Sequence, residues 1–83
     1  MSNLDKAFGL AVRQKRLELK FSQEDLAFES GLHRTYISQI ERGIKSPSLR
    51  VISIIARALQ TKVYLLIQIA EEFYSINETK EGL

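Results

Sequence analysis

Between residues 22 and 49 the chain is interrupted by Gly31, Gly43 and Pro47, so this stretch has room only for short helices. Ser22-Gln23-Glu24-Asp25 marks the start of the first. In this capping-box pattern the Ser22 hydroxyl takes a free amide and the Asp25 carboxylate reaches back. Glu24 and Asp25 also suit the positive end of a helix. The spacing predicts a helix over Gln23–Ser30 with Leu26 and Ala27 inward, stopped by Gly31, which adopts a left-handed backbone without steric penalty. A second helix is expected almost at once, from about His33 to Arg42, ending before Gly43. Two short helices joined by a tight glycine turn make a helix-turn-helix, here over residues 22–43.

At 100° per residue Ile37 and Ile40 fall on one side of the second of these helices, and Thr35, Ser38, Gln39 and Arg42 fall on the other, spaced i, i+3, i+4, i+7. The outward stripe contains no acid and no aliphatic residue, and each member can hydrogen-bond. The small Ala27 lets this helix approach its predecessor, while Ile37 and Ile40 anchor it. What remains is a projecting rod with a polar outer edge. A rod of that width fits a DNA major groove, where the N-terminal residues of such a helix reach base edges.

The rest of the chain also reads as helix. Helix one is expected from Leu4 to Lys20, capped by Asn3, with Phe8, Val12, Leu17 and Leu19 inward and Arg13, Lys15 and Lys20 in water. Gly9 inside it costs about 1 kcal/mol relative to Ala, which close packing against a neighbour would explain. Ser48 or Pro47 opens helix four, about Leu49 to Gln60. Its core stripe is Leu49, Ile52, Ile55, Ala56 and Leu59, with Val51, Ile54 and Ala58 on a second apolar side. Residues 63–69 have the composition of a strand, but Val63, Leu66, Ile67, Ala70 and Phe73 keep helical spacing, so helix five is expected to Ile76. Residues 1–76 then form one all-α domain of five helices, with a frayed tail over 77–83.

Eighty-three residues, 45% apolar and 27% charged, suit one small globular domain. There is no Cys and a single His, His33, so thiol nucleophiles, Cys-based zinc sites and multi-His metal sites are excluded and no cofactor is expected. No nucleophile–base–acid set and no glycine-rich phosphate loop is present, so the chain does not read as an enzyme. The longest apolar run, Val63 to Ile67, is far short of the ~20 residues that cross a bilayer. Asp5 and Lys6 stand where a secretory signal would be apolar, so a cytoplasmic protein is expected. The net charge of +2 hides an uneven distribution: residues 1–29 are neutral, 30–62 carry +5 and 63–83 carry −3. Positive charge gathers where a polyanion would find its footprint.

The segments Ser22-Gln23-Glu24-Asp25-Leu26-Ala27, Gly31-Leu32, Tyr36-Ile37-Ser38-Gln39-Ile40-Glu41-Arg42-Gly43 and Pro47-Ser48-Leu49 together resemble the Cro/cI-type (XRE) DNA-binding domain, over roughly residues 8–67. Within that family, Arg34-Thr35-Tyr36-Ile37-Ser38 is similar to the controller proteins of restriction–modification systems. The resemblance implies a compact lambda-repressor-like fold of five helices. It also implies a transcriptional regulator that binds a pseudo-palindromic double-stranded DNA operator as a homodimer. Matched by position, His33, Arg34, Thr35, Ser38 and Gln39 would read bases, and Gln23, Tyr36, Arg42 and Lys45 would contact phosphates. The family's buried ion pair maps onto Arg16 and Glu41. Ile44-Lys45-Ser46 departs from relatives that are more basic there, which implies a weaker phosphate clamp.

Each residue has a plainer role beside the functional one. The planar fork of Arg34 can bond O6 and N7 of guanine together, for about 1–3 kcal/mol of discrimination, or it can meet phosphate or water. Thr35 offers a methyl to thymine or a hydroxyl to its own helix end, and Gln39 suits adenine or simple solvation. Ser38 is small enough to let the helix sit deep. His33 fits the cap region of its helix as well as it fits DNA. Gln23 sits where free amides attract an anion, and Tyr36 flanks the helix with its ring on the core. Glu41 lies ~40° from Ile37, close to the buried side, where an unpaired carboxylate is costly, so pairing with Arg16 is expected. The second apolar side of helix four and the apolar run of 63–69 exceed what one small core covers, and point to a homodimer through helices four and five; the alternative is a monomer in which helix five folds back over them. The rival reading is an antitoxin or protein-interaction adaptor on the same fold, served by the apolar C-terminal third.

Overall fold

The computed structural model describes residues 3–81, with side chains over 3–75. These residues form α1 (Asn3–Glu18), α2 (Gln23–Ser30), α3 (Arg34–Glu41), α4 (Leu49–Ala58) and α5 (Val63–Glu81), with no strand among them. The capping box at the start of α2 is closed. Asp25 N–H donates to Ser22 Oγ at 3.0 Å, and Ser22 N–H donates to Asp25 Oδ2 at 2.8 Å. Gly31 ends α2 at φ 73°, its N–H donating to Ala27 O at 2.9 Å. Ser48 caps α4, its hydroxyl oxygen accepting from Val51 N–H at 3.2 Å. Residues 63–69 are helical, as their spacing predicts, and α5 continues past Ile76 to Glu81.

Three other ends differ from expectation. Helix α1 includes Asn3, so Asn3 is not the cap, and the preceding position lies outside the described residues. Helices α1 and α4 stop two residues before Lys20 and Gln60, which adopt left-handed backbones with φ of 60° and 58°. Each end closes by a paired reverse bond: Phe21 N–H to Arg16 O with Lys20 N–H to Leu17 O, and Thr61 N–H to Ala56 O with Gln60 N–H to Arg57 O, all at 3.0 Å. A side chain in this conformation costs roughly 1–2 kcal/mol, and no glycine marks either stop in the sequence.

The core is assembled from Phe8, Ala11 and Val12 of α1, Leu26 of α2, Ile37 and Ile40 of α3, Ile55 and Ala56 of α4 with Leu59 just beyond it, and Leu66 and Ala70 of α5. Two residues expected there are exposed. Leu17 is 52% accessible because Arg16, four residues after Val12, occupies the buried arc, which leaves Leu17 ~140° around the helix from Val12. Leu49 is 74% accessible because the core covers Val51 and Ile52 of the same turn in part and does not reach Leu49.

Helix α1 packs across the C-terminal end of α3 with almost no side chain between the backbones. A Cβ built on Gly9 would overlap the carbonyl oxygens of Ile40 and Glu41, and one on Gly43, itself at φ 76°, would lie 2.8 Å from Lys6 Cα. The close approach expected at Gly9 is therefore present, and it fixes the height of α3 on the core. Backbone atoms cannot swing away as a flexible side chain can, so Gly9→Ala should destabilise the fold by about 3 kcal/mol. Urea unfolding measures this, and a loss below about 0.5 kcal/mol would show that the two helices separate freely.

Candidate nucleic-acid interface

Helix α3 packs on α1 and α2. Ile37, Ile40 and Glu41 are its buried residues, and its other side is uncovered. Arg34, Thr35 and Arg42 are exposed, while Ser38, Gln39 and Tyr36 are half-buried. His33 occupies the N-cap with an extended backbone, φ −70° and ψ 141°, but its imidazole makes no capping bond and is exposed. The side chains at the N-terminal end of α3 thus project into solvent. At the other end the chain folds back on Gln39, whose carbonyl accepts from Ile44 N–H at 2.9 Å and Lys45 N–H at 3.4 Å. Lys45, in that turn, and Arg42, just before it, are both exposed. The result is a ridge of donors and acceptors without a carboxylate, flanked by cations.

One buried cluster holds this ridge in place. Arg16 grips Glu41 with two parallel bonds, Nε to Oε2 at 2.6 Å and Nη2 to Oε1 at 3.0 Å. The two side chains are 8% and 3% accessible. Arg16 also donates from Nη1 to the carbonyl of Phe21 at 2.8 Å, tying the entry of α2 to the end of α1. Gln23, the first residue of α2, donates from Nε2 to Glu41 Oε1 at 3.1 Å. The sequence placed Gln23 at a helix start but carried no sign of this contact, since its partner lies on another helix. The arc position of Glu41 beside Ile37 signalled burial, and Arg16 falls on the same arc of α1 as Val12.

A family model described as helix-turn-helix matches residues 12–66, which contain α2, the turn, α3 and α4. The chain belongs to the helix-turn-helix family. It is 54% identical over 59 residues to the control protein C.BamHI of Bacillus amyloliquefaciens, covering 70% of this chain and 73% of that protein. Its fold matches the clp gene regulator ClgR of Corynebacterium glutamicum with a TM-score of 0.88 at 26% identity, over 95% of this chain and 84% of that one. It also matches the restriction–modification controller protein C.Esp1396I, seen as a tetramer with its natural 35 base-pair operator. There the TM-score is 0.82 at 30% identity, over 89% and 97% of the two chains. Family membership and the controller proteins among the relatives agree with the resemblance carried by residues 22–49.

Because Arg16 would be left as a buried, unpaired cation, Glu41→Ala should cost about 3–5 kcal/mol of stability. Urea denaturation followed by circular dichroism reads this directly, and a loss under about 1 kcal/mol would mean that water reaches the guanidinium.

Proposed function

We propose that this helix-turn-helix DNA-binding regulator, a homologue of restriction–modification control proteins, lays residues 33–42 in the major groove and reads a pseudo-palindromic operator as a homodimer. The observation that carries this reading is the bare, acid-free ridge of α3 on a scaffold matched to controller proteins. Its relatives include a control protein and a helix-turn-helix-type transcriptional regulator, in keeping with a binding role. His33, Arg34, Thr35, Ser38 and Gln39 are the base-reading set, with Arg34 bidentate to guanine. Gln23, Tyr36, Arg42 and Lys45 hold phosphates on either side. Lys and Arg release counterions for affinity without specificity, while α3 and the deformability of the duplex supply discrimination.

Exposed apolar residues of α4 and α5 support the dimer face. Leu49 is 74% accessible, Tyr64 69%, Leu65 40% and Ile54 36%. A two-fold axis there sets two copies of α3 one DNA turn apart, ~34–36 Å. Among the described residues no single helix is long and apolar enough to cross a membrane, and a cytoplasmic location, beside the DNA it reads, is part of this proposal.

Selection of bound sequences from random duplexes tests the readout. Arg34→Ala is expected to relax preference at one base pair per half-site, whereas Arg42→Ala is expected to weaken all sequences alike and to shallow the salt slope by about one unit. An unchanged preference removes Arg34 from the readout, and a loss confined to the selected site removes Arg42 from the phosphate set. Tyr64→Glu places a charge in the dimer face and should yield monomers by sedimentation with operator affinity lower by about 100-fold. A Tyr64→Glu dimer of native affinity would move the interface elsewhere.

A further inference from the structure

Gln23 stands at a junction between the interior and the surface. It is the first residue of α2 and is half-buried, so part of it meets solvent at the helix end where free backbone amides lie. Its other part meets the buried carboxylate of Glu41. A primary amide nitrogen carries two hydrogens fixed in one plane. Glu41 Oε1 accepts one of them at 3.1 Å, and the second has no partner among the described residues. Against a carboxylate the amide must present nitrogen rather than oxygen, so its flip is chemically determined. Glu41 is itself held on both oxygens by Arg16, which is anchored in turn on the Phe21 carbonyl.

We propose that Glu41 is a positioning residue for DNA binding: backed by Arg16, it holds the Gln23 amide so that its free N–H faces a backbone phosphate before DNA arrives. This rests on the reading that Gln23 contacts phosphate, and it assigns the ion pair a second role beyond stability. A glutamine free to rotate would lose its rotamers at the moment of association, which weakens binding, whereas one already held loses little. The carboxylate is suited to the task because Arg16 neutralises it. It can therefore orient a donor near the polyanion without repelling it. The capping box fixes the α2 backbone independently through Ser22 and Asp25, so the side-chain bond to Glu41 is not needed to form that end of the helix.

A double-mutant cycle tests the proposal. Operator affinity is measured for the native chain and for the Arg16→Met/Glu41→Met variant, which replaces the pair with apolar groups, each with and without Gln23→Ala. The duplex is the one selected from random sequence, with a scrambled duplex alongside. In the native chain Gln23→Ala should weaken both duplexes by about tenfold, the loss of one hydrogen bond to a charged group. The Arg16→Met/Glu41→Met variant should be weakened to a similar extent, and Gln23→Ala should then change its affinity by less than about twofold. Equal losses from Gln23→Ala in both backgrounds would overturn the positioning role while leaving the phosphate contact standing. No loss in the native chain would remove the phosphate contact, and the proposal with it. A second measurement needs no variant and stands if the Met pair fails to unfold cooperatively. In the DNA-free native chain the Gln23 side-chain amide should show an NMR order parameter near that of rigid backbone, ~0.85, and a value below about 0.6 would overturn the proposal.

Discussion

The structure depends on a guanidinium and a carboxylate that have both been taken out of water. Neither Arg16 nor Glu41 is tolerable alone in the interior, and their paired bonds at 2.6 and 3.0 Å join the end of α3 to a segment 25 residues earlier in the chain. Arg16 belongs to the last turn of α1, Glu41 ends α3, and Phe21, whose carbonyl takes the remaining Arg16 bond, leads into α2. A buried ion pair gives little net stability over apolar packing, but it accepts only one geometry. Here that geometry fixes the end of α3 against the start of α2.

Around this anchor the packing is unusually direct. Gly9 lets the α1 backbone rest on the carbonyls of Ile40 and Glu41, and Gly43 lets the chain leave α3 beside Lys6. With its inner side fixed by Ile37 and Ile40, α3 has no freedom to roll, and its polar edge is held outward. The ridge is thereby a rigid element made from an eight-residue helix that would not persist alone in water. Rigidity matters to the proposed readout, since a bidentate contact to a base edge tolerates little displacement.

Much of the helix-turn-helix unit is legible in the sequence. Ser22 and Asp25, Gly31, and the spacing of Ile37 and Ile40 act within one or two turns of chain, where local chemistry decides, and α2 matches its expected bounds. The stops of α1 and α4 were not legible, because Lys20 and Gln60 take a conformation for which the local signal is glycine. Leu17 and Leu49 read as core and are exposed, because apolar periodicity marks the residues able to be buried but not which of them a neighbour covers. The Gln23 contact could not be seen at all, since nothing local to an exposed helix start announces a partner eighteen residues away.

What the amino-acid sequence determined alone was the set of helices, the turn between α2 and α3, and the acid-free edge of α3, because caps, glycines and periodicity act over a few residues. Tertiary structure decided which residues meet: that α1 lies backbone to backbone on α3, that Arg16 finds Glu41, and that Gln23 is held by a buried carboxylate. Those contacts arise only when the helices close on a shared core. Long-range packing and the exclusion of water, rather than local preference, select them.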